Sequence, residues 1–544
     1  MTVDYCLKST AIFDGKSEAP FSGCVLISGN RIVDVVPIGE ETAWVGEHTV
    51  YKDFGDKLIM PGLIDAHTHF FKGAITASDH VCTSIGDSKS EEECAQMIYQ
   101  FAKAHPQEKR VRGSGWFITN WGDQPLPTKR SLDALLPDIP VYLQAADAHS
   151  YWLNSAALKE CGVTTESKVE SGYIGKFENG ELDGMLVEFD ACQYAERMFN
   201  SFSEEELEEI YEQFLEISAK NGITSMSEML PDEYDRKTLE KYHLIKRMEQ
   251  EEKMKVRLHV FPKMYDTPDF STYLQWKKEL DSDYFQISGV KGFIDGVAET
   301  YTGLLLEPYT DKPETCGINV PVKPQEDLNQ AVKTANAAGI PVRIHCIADG
   351  SVRMALDALE ASVKENGKNL HNTIEHIENI HPDDIGRFKE LGVLPSMQPI
   401  HIILDADGKI NRIGEERIKY EWPLQTLLQS YGELAIGTDY PVVDINPFDN
   451  IYAAVTRNFF DGSPASHNPE ECLTMSQTLR AYTYDAADTY SRKEELGSLE
   501  KGKLADLIVI DQNLFTIPKE KIRESHVELT MLGGKIAYYK SSIE

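Results

Sequence analysis

The chain has 544 residues, 41% apolar and 26% charged, with a formal net charge of -34 at pH 7. That length exceeds one ordinary domain, and the composition is normal for a globular protein with sizeable cores. So negative a surface repels nucleic acid and anionic membranes, which leaves a small molecule as the expected partner.

The chain opens with MTVDYCLKSTAIFDG, which lacks a basic start followed by an apolar run. No stretch reaches the ~20 apolar residues of a spanning helix. Nine scattered cysteines without a CxxC pair predict reduced thiols and a cytoplasmic setting. CVLISGNRIVDVV then reads as two β-rich runs joined at Gly29-Asn30. The other end, ADLIVIDQN and HVELTMLGGKIAYYK, is equally β-rich. One small β-sandwich built from residues 1–57 and 491–544 is therefore expected.

Between the ends lie eight strand-like runs: 58–67, 222–228, 256–261, 287–293, 340–345, 372–377, 392–398 and 433–439. Helical patterns separate most of them, such as PQEDLNQAVKTANAAG before the fifth run. Such alternation predicts an α/β fold, a closed (β/α)8 TIM-like barrel over 58–74 and 204–490. An open doubly wound sheet is the competing reading, but no GxGxxG follows the first run. The gap between the first two runs is too long for one βα unit. Residues 75–203 are read as an insertion, expected to cap the barrel mouth because it starts on the catalytic side.

Chemistry-bearing residues gather at strand ends. His67 and His69 close the first run as DAHTH, and residues i and i+2 of a strand face the same side. Imidazole nitrogen is a good zinc ligand. Lys291 ends the fourth run, His345 the fifth, His376 the sixth and Asp439 the eighth. Parallel strands would bring all of these to one rim. The competing reading, separately satisfied polar residues, needs the same coincidence on several strands.

PGLIDAHTH, GWFITNW, PTKRSLDALLPDIPV, DAHSYWLNSAAL, VKGFIDG, GTDYPV and LGSLEKGKLADLIVID, in this order, resemble the amidohydrolase superfamily. The likeness is to its YtcJ-like branch, which includes N-substituted formamide deformylase. The resemblance implies one or two divalent metal ions, zinc by default. His67, His69 and Asp439 would bind one; His345 and His376 would bind a second. Lys291 would bridge them as an N-carboxylated lysine; the alternative is a neutralising salt bridge to Asp439 or Asp295. Asp439 would also be the catalytic proton shuttle for a metal-activated water. The family commonly has Gly before the acid that follows the fifth-strand His, where this chain has Ala348-Asp349.

The expected reaction is hydrolysis of a non-peptide C–N bond, an amide or N-acyl bond. Ester or lactone hydrolysis, or deamination, is the alternative, and a non-catalytic scaffold the third reading. No GxSxG elbow supports a serine mechanism. For the substrate pocket the insertion offers Trp116, Trp121, His149, Tyr151, Trp152 and Glu188, with Glu228 from the second run; for any one aromatic, filling the core of the insertion is the stronger reading, and either carboxylate could be structural. A symmetric homodimer is the default expectation for an oligomer.

Overall fold

The computed structural model describes residues 2–540 apart from 123, 124, 147–149, 170, 171, 266, 268, 319–322, 369 and 407. It divides into two compact units, one of residues 1–70 and 215–544 and one of residues 71–214. No described helix is long and apolar enough to cross a membrane.

The first unit holds both chain ends in one eight-stranded sheet. Its order runs Lys535–Tyr539, Val527–Leu532, Leu507–Ile510, Leu58–Pro61, Tyr5–Ile12, Phe21–Ser28 and Arg31–Val36, with Val50–Asp53 also paired to Tyr5–Ile12. The hairpin read at Gly29-Asn30 is present, joining two antiparallel strands. Alternate residues face one apolar cluster, among them Leu7, Val25, Ile27, Val509, Leu529 and Met531.

The same unit carries two parallel sheets. One has the order Phe285–Ile287, Arg257–Val260, Ile223–Glu228, Leu63–Thr68. The other runs Val290–Phe293, Val342–Cys346, Thr373–His376, Leu394–Met397, Ala435–Ile436. Their strands are buried along their length, as both-face-covered parallel strands must be. Helices lie between them. Asp349–Asn366, for example, buries Val352, Ala355, Leu356 and Leu359, the i, i+3, i+4, i+7 stripe.

Backbone hydrogen bonds tie the two sheets at both edges. Asp439 N donates to His67 O at 2.6 Å and His69 N to Tyr440 O at 2.8 Å. On the other side Lys291 N donates to Pro262 O and Met264 N to Lys291 O, both at 2.9 Å.

Two of the eight runs are not single strands. The run 58–67 splits at Gly62: Leu58–Pro61 pairs antiparallel with Leu507–Ile510, and Leu63–Thr68 enters the parallel sheet. The boundary placed at residue 57 therefore moves to Gly62. A Cβ there would stand 2.2 Å from the Thr224 side chain, so only glycine lets the chain change sheets so close to its neighbour. The run 287–293 breaks at Ser288-Gly289, which separates the strand paired to Arg257–Val260 from the one paired to Val342–Cys346.

The second unit has a six-stranded sheet. Its order is Tyr173–Lys176, Leu182–Val187, Ser150–Leu153, Val141–Ala145, Val111–Trp116, Val81–Cys82. Helix Glu91–Ala104, capped by Ser90, packs Cys94, Ala95 and Ile98 into its core.

In the first unit one buried ion pair joins the terminal sheet to the parallel strands. Arg257 reaches Asp506 through Nε at 2.7 Å and Nη2 at 2.9 Å, and Asp506 also accepts from Gly533 N at 2.6 Å. Asp506→Ala leaves a buried guanidinium without its counter-charge, so it should lower unfolding free energy by about 3–5 kcal/mol in urea denaturation. The double change Arg257→Met with Asp506→Leu should recover most of that loss.

Candidate metal centre

Leu63–Thr68 carries His67 to the end of its strand, with His69 one residue beyond it. The neighbouring segment must approach His67 closely, and Gly437 permits it. A Cβ at Gly437 would lie 2.4 Å from His67 N. Asp65, two residues before His67, locks the pair of strands: Oδ1 accepts from Thr438 N at 2.9 Å and Oδ2 from Thr438 Oγ1 at 2.6 Å. Asp439 is thereby delivered beside His67.

Of the six residues named as ligands, His67, His69, His345, His376 and Asp439 lie close together. Donor atoms of His67, His376 and Asp439 all lie within 4.8 Å of one another. His69 Nε2 is 2.9 Å from Asp439 Oδ1. The His345 ring centre is 4.4 Å from that of His376, which in turn is 4.6 Å from that of His67. Lys291 is buried, and its charge acts on both His67 and His345.

Burial sets the protonation states. Desolvation and Lys291 push His67 down to about 4 and His345 down to about 3. Burial, then His345 and His67, push His376 well below the usual imidazole range. All three rings are therefore neutral at pH 7, the form with a lone pair to give a cation. Burial alone would raise Asp439, but His67, His69 and His376 outweigh it and keep the carboxylate ionised.

Lys291 is lowered to about 8, chiefly by burial. Its Nζ has no hydrogen-bond partner among the described residues and lies 4.9 Å from the Phe293 ring centre. No salt bridge to Asp295 forms. That carboxylate instead accepts from the backbone N–H groups of Leu304, Ile347 and Ala348 at 2.9, 3.0 and 3.2 Å. Asp349, after the Ala348 that departs from the family pattern, accepts from Leu306 N at 2.9 Å. His69 Nδ1 and His376 Nδ1 are also buried without hydrogen-bond partners among the described residues. Neutral imidazoles, an ionised carboxylate and unpaired buried nitrogens form a donor set that fits a divalent cation.

Several contributors escape a reading of the sequence alone. Glu375 Oε2 lies 2.6 Å from His67 Nδ1, and Arg343 Nε donates to Glu375 Oε1 at 2.6 Å. Burial would raise Glu375, but Arg343 and His67 hold it well below the usual carboxylate range. An ionised acceptor there makes His67 Nδ1 the N–H donor and turns the Nε2 lone pair toward Asp439, 3.6 Å away. His401 Nε2 is 3.8 Å from Asp439 Oδ2. One signal was present: Asp65 and Arg343 each stand two residues before a ligand, charged residues on the inner face of otherwise apolar strands.

The pocket residues expected from the insertion fare differently. Trp116 and Trp152 are core, not pocket wall. Their ring centres lie 6.2 Å apart, and each N–H is taken by a backbone carbonyl, Leu143 O at 3.1 Å and Thr128 O at 2.9 Å. Large planar side chains fill the core of a small unit efficiently, and Trp121 stacks on Trp116 and meets Trp152 edge-on. Tyr151 is also buried, its hydroxyl accepting from Gln144 Nε2 at 2.9 Å. Glu188 is half-buried at a positive-φ position before helix Phe189–Phe199. His149 lies outside the described residues. Glu228, in the first unit, places Oε1 4.0 Å from His69 Nδ1 and accepts from Leu230 N at 2.7 Å.

A sequence profile described as the amidohydrolase family matches residues 53–538. The Arabidopsis thaliana protein LONG AFTER FAR-RED 3 is 29% identical over 99% of this chain and 92% of its own. The N-substituted formamide deformylase of Arthrobacter pascens is 25% identical over 95% of both chains. In structure, an uncharacterized metal-dependent hydrolase from Pyrococcus horikoshii OT3 superposes with a TM-score of 0.77 at 23% identity, covering 95% of this chain and 99% of that one.

Glu375→Gln removes the ionised acceptor behind His67 while keeping its shape. Metal affinity, read by competition with a chelator, should weaken by roughly 10–100-fold, the usual effect of losing such a partner. Parental affinity in this variant would show that Glu375 only balances Arg343.

Proposed function

The chain belongs to the amidohydrolase family, and from that premise we propose that it hydrolyses a carbon–nitrogen bond, other than a peptide bond, in a small molecule. The observation that carries this reading is the cluster of His67, His376 and Asp439, with His69 and His345 beside it and the Lys291 amine buried without a hydrogen-bond partner among the described residues. These six residues would hold one or two divalent metal ions, zinc being the default for this donor set. Such a metal supplies Lewis acidity for the scissile carbonyl and makes a water nucleophilic near neutral pH. We read the two edge-tied parallel sheets as a closed (β/α)8 barrel, which explains why all six residues meet at one end.

The residues of the chain then have separate tasks. Asp439 is held ionised, so it begins the cycle as a base. It takes the proton of the attacking water and returns it to the leaving nitrogen as the C–N bond breaks. Glu375 keeps His67 in one tautomer throughout. Lys291 is neutral often enough to react with carbon dioxide: its nitrogen pair forms the N–C bond, an oxygen takes the displaced electrons, and a proton leaves to solvent. The resulting carbamate offers two oxygens where the bare amine offers one nitrogen. The deformylase relative supports amide substrates, N-substituted formamides among them.

The proposal is tested with a panel of N-alkyl formamides and acetamides and with Asp439→Asn. The variant keeps a carbonyl oxygen but loses the base, so kcat should fall by roughly 10²–10⁴. Metal content should fall much less, because the histidines remain. A folded, metal-loaded Asp439→Asn protein working at the parental rate would remove Asp439 from the mechanism. If no panel member is turned over by the metal-loaded parent, C–N hydrolysis is the wrong reaction.

A further inference from the structure

Three buried polar atoms beside the ligand cluster have no part in the chemistry above. Gln398 follows strand Leu394–Met397 and is wholly buried, yet neither its Oε1 nor its Nε2 has a hydrogen-bond partner among the described residues. The indole Nε1 of buried Trp422 has none either.

Gln398 directly follows the strand whose Ser396 Oγ lies 3.4 Å from Arg343 Nη2, beside the Arg343–Glu375 pair. The main chain fixes it there. Met397 O accepts from Gly437 N at 3.1 Å, and Gln398 O accepts from His401 N at 3.0 Å. His401 in turn lies 3.8 Å from Asp439 Oδ2, with its ring edge-on to Trp422 at 6.1 Å. Lys409 Nζ lies 5.1 Å from the Trp422 ring centre, so the indole is already engaged on a face and what it has left is a hydrogen-bond donor.

A buried carboxamide with nothing bonded to it destabilises a fold, and a ligand that completes it is a reason to keep it. We propose that Gln398 and Trp422 read the substrate, and that they read it as an amide. Gln398 Oε1 accepts the substrate N–H, and the indole N–H donates to substrate oxygen. The inference rests on the hydrolase reading and narrows it to amides over esters. An ester carries the oxygens but no N–H, so it leaves Gln398 Oε1 buried and unpaired. Sites built to bond a polar group reject the analogue that lacks it.

The test pairs N-butylacetamide with its ester isostere, butyl acetate. Affinities are measured calorimetrically on metal-loaded full-length protein in the Asp439→Asn background, so that neither compound is consumed. Turnover is measured in the parental chain. The amide should bind at least about tenfold tighter than the ester. Gln398→Met, of similar volume, should make the two affinities about equal at unchanged metal content. Its thermal midpoint should hold or rise, because an unpaired buried amide has gone. Trp422→Phe should weaken amide and ester alike, since its donor serves the oxygen they share. Equal binding of both compounds without the Gln398 change, no measurable amide binding, or an amide preference that survives Gln398→Met overturns the proposal. Amide binding without turnover sinks C–N hydrolysis and leaves the recognition role standing.

Discussion

Glu375 lies 2.6 Å from Arg343 Nε on one side and 2.6 Å from His67 Nδ1 on the other, with no exposure to solvent. Each charge is tolerable only because of the others. A buried carboxylate or guanidinium left alone would cost several kcal/mol, so the three groups must form together. Arg343 also donates to Ala66 O at 2.7 Å and to Ser227 Oγ at 3.1 Å. One guanidinium thus gathers the first, second, fifth and sixth parallel strands around the ring that faces the metal position. The orientation of His67 is a by-product of holding the interior together.

The strand ends above this layer are bent to fit. His376, Ile377, Asp439 and Trp422 have φ values of 73, 53, 64 and 44°, left-handed conformations that non-glycine residues rarely adopt. Such positions cost about 1–3 kcal/mol each and persist only where the surroundings over-determine them. Here the surroundings are identifiable. Asp65 grips Thr438, and Ile377 N is held by Cys346 O at 2.9 Å. The strain turns the side chains of His376 and Asp439 away from strand alternation and toward one another.

This explains what the sequence makes legible. The proposed ligands are visible because apolar runs end on His, Lys or Asp at the same relative place. The parallel architecture is visible because helix and strand periods alternate. The supporting groups are harder to see. Glu375 is adjacent to His376, and regular alternation would send the two to opposite faces. Only the positive φ at His376 brings both inward. His401 lies beyond its strand, where no period applies. The tryptophans of the insertion are ambiguous for a different reason: an aromatic side chain reads alike whether it fills a core or lines a cavity. Trp116 and Trp121 stack and Trp152 meets both edge-on, while the indole of Trp422, unremarkable in the sequence, stands near His401.

The strand Leu58–Pro61 runs directly into the one that carries His67, and it is held on one side by Leu507–Ile510, hundreds of residues further along. On a ribosome the first ligand strand therefore emerges long before its partner exists. At typical rates of synthesis the delay is on the order of a minute. Through that interval an apolar strand edge waits unpaired, open to aggregation or to chaperones. A premature stop between Asp439 and Leu507 would release a chain that contains every proposed ligand yet lacks the strand that seats the first of them. Such a product would be cleared as unfolded protein before its chemistry could matter.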